Sequence, residues 1–372
     1  MPVKGKQYTA VIISCACMFF CIIDSKVVLS GAKEGIEICI NSVIPSLFPL
    51  FVISGYLCSR LNDISVLPLK RLGRACGIPE GCESVLLLGF LSGYPVGAQS
   101  VSQLYEDRKI SKDTAQRMLA FCSNAGPSFI FGILSGLFRN PIIPWVLWGI
   151  HIISALFVAI SLPGKCFKNA ESAKSNPLSL PQSLERAVRS VAAACGWIIL
   201  FRVISEILTK RPLATNTTIL TAILTGILEL TNGCLRLSDV ALPEYRFLIS
   251  SGLLAFGGVC VYMQTRSAVG NLSCVTYFFG KLMQCSASLV ISALLLPVLF
   301  QTDCKPWMLL TLVLSASAVY CVSLLFCKKT VAFFHSMMYS KHEEKRNRGY
   351  RHAFQKKNRE IMRILRIRSN AG

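Results

Sequence analysis

Titratable side chains stand inside stretches otherwise apolar enough for a membrane, among them Arg202 and Glu206 in "IILFRVISEIL", Glu229 in "GILELTNG" and His151 in "VLWGIHIISALF". A charged group at the centre of a membrane helix costs about 2.5–3.5 kcal/mol on insertion scales, so each is expected to face protein or water rather than lipid. Arg202 and Glu206, four residues apart, share one helix face. That spacing suits either a structural ion pair or a guanidinium that holds an acidic solute. Glu229 can carry a coupling proton or help hold a cation, or it is a hydrogen-bonded core carboxylate. His151 reads as a packed or pore-facing residue rather than a ligand. The sequence contains no H-E-x-x-H, no G-x-S-x-G elbow and no second intramembrane His to serve a nucleophile, so no catalytic residue is assigned and an enzyme is not expected. The 17 cysteines include no CxxC pair and no Cys/His cluster of ligand spacing, and no metal or cofactor is expected.

The backbone around these groups carries a second signal. Four apolar runs are interrupted: at "SGYPVGAQS" (Ser92 to Ser100), "SNAGPS" (Ser123 to Ser128), "ELTNG" (Glu229 to Gly233) and "FGG" (Phe256 to Gly258). Pro127 removes a backbone donor and disfavours helical geometry at Gly126, while Asn124 brings an amide that needs partners in lipid. Interrupted helices are tolerated in hydrocarbon only where protein or a water-filled cavity surrounds them. Paired breaks in two halves point to a midplane site of the kind secondary transporters use, with half-helix N-termini toward anions and freed carbonyls toward cations. The candidate substrate-binding residues are therefore Ser92, Gly93, Tyr94, Pro95, Asn124, Ala125, Gly126, Pro127, Arg202, Glu229, Thr231, Asn232, Gly257, Gly258 and Gln264. Lone glycines such as Gly132 and Gly136 are read as helix-packing positions.

The elements that must position them are membrane helices. Hydrophobic residues make up 53% of the 372 and charged residues 16%, with mean hydropathy +0.53, too apolar for a soluble globular chain of this size. Apolar runs recur at Tyr8–Leu29, Ile36–Leu57, Val85–Leu104, Ala115–Phe138 and Ile142–Leu162, then at Leu184–Leu208, Thr217–Leu235, Phe247–Gln264, Val269–Phe300 and Met308–Phe326. The first is expected to be a retained helix, since it lacks a small-x-small cleavage site. Ten apolar runs need not be ten crossings, because re-entrant hairpins share the same hydropathy. The formal charge is +20, and from Lys328 onward 13 Lys/Arg face three acidic residues. By the positive-inside rule this C-terminal tail is expected in the cytoplasm, together with the basic stretches Arg60 to Arg74, Arg108 to Arg117 and Lys165 to Lys174. Within the tail, "REIMRILRIRS" spaces Ile361, Ile364 and Leu365 with arginines as a short amphipathic basic helix for anionic lipid would, the alternative being a solvated tail. Nucleic acid is not expected as a partner, and self-association is left open.

The two blocks of hydropathy suggest an internal duplication. "VIPSLFPLFVISGYL" sits over "ACGWIILFRVISEIL", "LLLGFLSGYPVG" over "ILTGILELTNGC", and "NAGPSFIFG" over "FGGVCVYMQ", in the same order in both halves. The expected organisation is a first membrane repeat over 1–163, a polar linker over 164–183, a second repeat over 184–328 and a basic tail over 329–372.

"VIPSLFPLFVISGYL", "GFLSGYPVGAQSVSQLYEDRKISKDTAQRMLAFCSNAGPSFIFG", "LTGILELTNG" and "LLAFGGVCVYMQ" resemble the YlbJ-like sporulation integral membrane protein family across roughly residues 8 to 327. The resemblance implies two gate, or nucleoside-recognition, domains. It implies an all-α polytopic membrane fold of two repeats with broken helices and re-entrant hairpins, similar to concentrative nucleoside transporters. It further implies a bacterial cell-membrane location, the outer forespore membrane during sporulation, and transport of a small organic anion, dipicolinate. The alternatives are a sporulation scaffold without transport, whose basic tail recruits partners or lipid, and a transporter of a nucleoside-like solute. A planar dianion would suit half-helix N-termini and a guanidinium such as Arg202, with Asn124 and Gln264 as amide partners.

Overall fold

The computed structural model describes residues 8, 11–12, 14–15, 18–19, 21–61, 67–162, 178–209, 218–301 and 307–330, and every regular element among them is helical. The amphipathic reading of the tail and residues 163–177 of the expected linker lie outside the described residues. A compact body covers Met1–Cys327, and a second unit begins at Lys328.

Local sequence explains where the helices start and stop. Described residues between 8 and 23 are helical, and after Asp24 comes α1 (Ser25–Ile38), which passes through a π turn at Cys39–Val43 into α2 (Ile44–Leu61). A short α3 (Leu67–Ala75) precedes α4 (Ser84–Leu91) and α5 (Val96–Glu106), then α6 (Lys112–Leu119), capped by the Ser111 hydroxyl accepting from Thr114 N. Next come α7 (Pro127–Gly132), α8 (Ile142–Ser161) and α9 (Leu180–Thr209), the last beginning inside the stretch read as linker. α10 (Thr218–Leu228), α11 (Leu230–Arg236), α12 (Pro243–Phe256) and α13 (Gly258–Ala268) follow. The long helices α14 (Val275–Phe300) and α15 (Trp307–Thr330) complete the described chain. The apolar run read from Val269 enters its helix only at Val275, since residues 269–274 form a turn.

Among the described residues, six stretches are long and apolar enough to cross a membrane: Ser25–Leu57, Ile142–Ser161, Leu180–Leu208, Pro243–Ala268, Val275–Phe300 and Trp307–Thr330. The chain is an integral membrane protein. α4, α5, α10 and α11 are different. At 1.5 Å per residue the longest of them, 11 residues, extends only about 16 Å, far short of the roughly 30 Å of hydrocarbon. Each such pair folds back on itself where glycine removes the side chain. A methyl on Gly97 would lie 3.0 Å from Gly89 Cα, and one on Gly233 would lie 2.2 Å from Gly226 Cα.

All four interruptions read from sequence are real breaks, each with its own cause. Gly93 takes φ +86° between α4 and α5, and Gly257 and Gly258 take +81° and +83° between α12 and α13, a left-handed region open to glycine without strain. Residues 123–126 form no regular element, Gly126 is extended (φ −81°, ψ 159°), and Pro127 opens α7 where no helical N–H is needed. Glu229 is extended (φ −145°, ψ 119°), and its carboxylate caps α11 by accepting from Thr231 N at 2.9 Å and Asn232 N at 2.7 Å.

Packing then fixes the breaks in place. α1 and α2 lie on α9, and Gly31 and Gly35 let the α1 and α9 backbones meet, since methyls there would lie 3.0 Å from Val203 Cα and 2.9 Å from Ile199 Cα. α14 lies on both α12 and α8. Arg117, buried at the C-terminal half of α6, donates to Cys76 O (2.7 Å), Gly77 O (3.1 Å) and Ala159 O (3.0 Å). It thereby satisfies carbonyls at the ends of α3 and α8 and anchors the chain just ahead of the non-helical segment.

Candidate functional site

The four breaks meet. A methyl on Gly93 would lie 3.1 Å from Gly126 N and one on Gly126 would lie 3.0 Å from Gly93 N, so the first two touch backbone to backbone. Tyr94 links the first to the fourth: its ring is 3.3 Å from where a Gly257 methyl would stand, and its hydroxyl donates to Leu254 O at 3.1 Å. The fourth reaches the last turn of α10, directly ahead of the third, because a methyl on Gly258 would lie 2.9 Å from Gly226 O and 3.1 Å from Ile227 O. Segments separated by more than a hundred residues thus share one centre. The non-helical piece passes over the first hairpin with Cys122 O set into its glycine crossing, where methyls on Gly89 and Gly97 would approach to 1.9 and 1.8 Å. On its other side, a methyl on Gly280 of α14 would lie 2.5 Å from Ala120 O.

At this centre lies a cation that the sequence reading missed. Lys281, on α14, is 1% exposed. Its Nζ donates to Gln284 Oε1 at 2.7 Å and to Asn124 Oδ1 at 3.2 Å, and it lies 5.1 Å from the Tyr94 ring centroid and 5.7 Å from that of Tyr277. Among the described residues, no carboxylate pairs with it. Gln284 Nε2 donates to Asn124 Oδ1 (3.0 Å) and to His151 O (3.2 Å), so both lone pairs of Asn124 Oδ1 are used. Asn124 Nδ2 donates to Phe121 O at 2.8 Å, and the Ala125 N–H donates to His151 Nε2 at 3.0 Å. Asn124 therefore does two things: it ties the broken segment to itself, and it holds Lys281. The hydroxyls of Ser92 and Ser123, beside the same breaks, are buried without a hydrogen-bond partner among the described residues. Lys281 also borders a recess of about 320 Å³ with walls of Phe256, Tyr262, Tyr277 and Phe278. The N-terminus of α13 at Gly258 borders this recess as well, and its cap, Gly257, brings no side chain of its own.

The remaining predicted residues form a second group. Arg202 on α9 pairs with Glu34 of α1, lies 3.8 Å from Glu206 and donates to Asn232 Oδ1 at 2.6 Å. Glu229 and Thr231 reach this group through the capping of α11. The guanidinium is thus engaged by two carboxylates and an amide, and the α11 N-terminus is filled by the protein's own carboxylate. Gln264, 7% exposed on α13, donates to Cys260 Sγ at 3.3 Å and makes no hydrogen bond to either group. Pro95 caps α5, and Pro127 starts α7.

Lys281, Gln284 and Glu34 were absent from the sequence reading, and His151 was discounted. The rule that singled out Arg202 applies equally to Lys281, a lone charge in the apolar run "FFGKLMQCSASLV". Glu34 carried no such signal, sitting in the polar stretch "GAKEGIE".

No family model matches the chain, and no solved structure matches it. Among curated proteins, it is 25% identical over 305 residues to the sporulation integral membrane protein YlbJ of Bacillus subtilis (strain 168), covering 68% of this chain and 74% of that one. This likeness supports the resemblance of the chain to the YlbJ-like family. Together with the apolar helices, it supports reading the chain as a membrane protein of sporulation. Two residue-level features stand beside that likeness: four converging helix breaks and a buried lysine with neutral partners.

Proposed function

We propose that this YlbJ-like chain transports a small organic anion, dipicolinate, across the outer forespore membrane, with Lys281 as the counter-charge of the binding site. The observation that carries the reading is a buried ammonium, without a carboxylate partner among the described residues, at the point where four broken helices meet. Burying a charge without an opposite one costs several kcal/mol, and a protein keeps such a group where a ligand supplies the missing charge. A planar aromatic dianion matches the recess beside Lys281, with aromatic walls for the ring and an ammonium and the α13 N-terminus for a carboxylate. The two glycine-crossed hairpins, one per half, support reading the fold as two gate-type repeats. Dipicolinate itself comes from the family resemblance.

Uptake of radiolabelled dipicolinate into proteoliposomes holding the full chain tests the proposal. The wild type is expected to accumulate it under at least one of a proton, sodium or substrate gradient. Lys281→Met is expected to bind and transport at least about tenfold less, the order of one lost charge-assisted contact. Normal transport by Lys281→Met, or saturation by an uncharged nucleoside instead of dipicolinate, would overturn it.

A further inference from the structure

A second cavity lies along the same half-helix. A cleft of about 670 Å³ opens between α5 and α9, lined by Gln99, Gln103, Arg186 and Ser190, and it reaches Ser267 at the far end of α13. The recess beside Lys281 touches that helix at Gly258, Val259 and Tyr262. Ser267 follows Tyr262 by five residues, about 7.5 Å of helix. One half-helix therefore borders both cavities. At one end it stands on Gly257 and Gly258, both left-handed, and near the other the Trp197 Nε1–H donates to Ser267 Oγ at 3.1 Å.

The walls of the cleft are polar and joined by hydrogen bonds. Gln99 Nε2 donates to Ser190 Oγ at 2.9 Å, and Arg186 Nη1 donates to Gln103 Oε1 at 3.2 Å. Three charges line it besides Glu185-paired Arg189: Arg186, Glu106 and Asp107 set the balance at the mouth, with Asp107 accepting from Gln103 Nε2 at 2.8 Å and Glu106 from Ser102 Oγ at 3.4 Å. Arg186 forms no ion pair among the described residues. An exposed guanidinium whose bond is to a neutral amide can exchange that bond for a carboxylate at low cost.

We infer that the cleft between α5 and α9 is the mouth through which the transported anion reaches Lys281, with Arg186 as its first contact and α13 as the barrier between mouth and recess. The inference rests on the transport reading above and adds a route to it. The mouth is lined by Glu106 and Asp107, directly ahead of the basic residues Arg108, Lys109 and Lys112, so the anion enters from the side where this basic segment lies.

Filling the cleft separates the route from the site. In Ser190→Trp and Gln103→Trp, dipicolinate transport by proteoliposomes is expected to fall at least about tenfold, while equilibrium binding to the detergent-solubilised full chain stays within about twofold. Arg186→Gln is expected to raise the concentration for half-maximal transport several-fold and leave the maximal rate unchanged. Wild-type transport rates in both filled variants would overturn the route and leave the anion reading standing. Loss of binding in both, with Lys281→Met binding normally, would move the site into the cleft and overturn the barrier role of α13. A wild-type chain that neither binds nor moves dipicolinate overturns both readings.

Discussion

Two cations of the membrane body, Arg202 and Lys281, are held in opposite ways. Arg202 is enclosed by Glu34, Glu206 and Asn232, while Lys281 is enclosed by Asn124, Gln284 and two tyrosine rings. The first cation is matched by charges on neighbouring helices and joins α1, α9 and α11. The second has neutral hydrogen-bond acceptors that hold the ammonium without cancelling its charge. A residue that looks functional because it is charged in a membrane therefore divides, on its partners, into a structural tie and a candidate ligand contact. The same division holds for helix ends: α11 is closed by Glu229, and α13 begins at bare glycine.

This contrast breaks most sharply at Lys281. Lys281→Met is expected to lose transport by at least about tenfold yet melt no lower than wild type, because a buried charge replaced by an apolar chain of similar size is often neutral or stabilising. A matched loss of transport and thermal stability would make Lys281 structural, like Arg202. Arg202→Gln is expected to do the reverse. Leaving Glu206 and half-exposed Glu34 without their cation is expected to cost about 1–3 kcal/mol in a detergent melting assay, with dipicolinate affinity changed by less than about twofold. Weaker binding at unchanged stability would restore Arg202 to the site.

The two glycine classes offer a contrast of comparable size. Gly97→Ala drives a methyl into Cys122 O and is expected to destabilise the fold by about 3 kcal/mol or more, seen as lost monodisperse protein, whereas Gly132→Ala, with nothing within 4 Å, is expected to be silent or slightly stabilising. The smallest effect is expected at Glu229→Gln. The amide oxygen still caps one α11 N–H, so about 1 kcal/mol of stability is lost and transport stays within about twofold. A larger loss of transport under a proton gradient would give Glu229 the coupling role that its capping geometry argues against.

Much of the centre was legible residue by residue. The break at Asn124–Pro127 follows from a missing donor and a disfavoured helical geometry, and the Gly257–Gly258 break from backbone freedom, both local properties of the chain. Glu229 was legible as a carboxylate at a break, but its capping role depends on an extended backbone that apolar periodicity does not report. Arg202 was legible as a buried charge, and its Glu34 partner was not, since 168 residues separate them and Glu34 sits in a polar context. Lys281 was hidden by the length of the apolar run around it, which reads as a spanning helix with one tolerated charge.

The sequence by itself determined that the chain lives in a membrane, that it is helical, and where its helices fail. Those outcomes follow from hydropathy, from the need to satisfy backbone groups in lipid, and from the stereochemistry of glycine and proline, which act within a few residues. Only the tertiary structure decided that the four failures meet, that Asn124 reaches Lys281 across 157 residues, and that one cation is matched by carboxylates while the other is not. Pairing over such distances depends on close packing of whole helices, and the local pattern that builds each helix does not encode which neighbour it will meet.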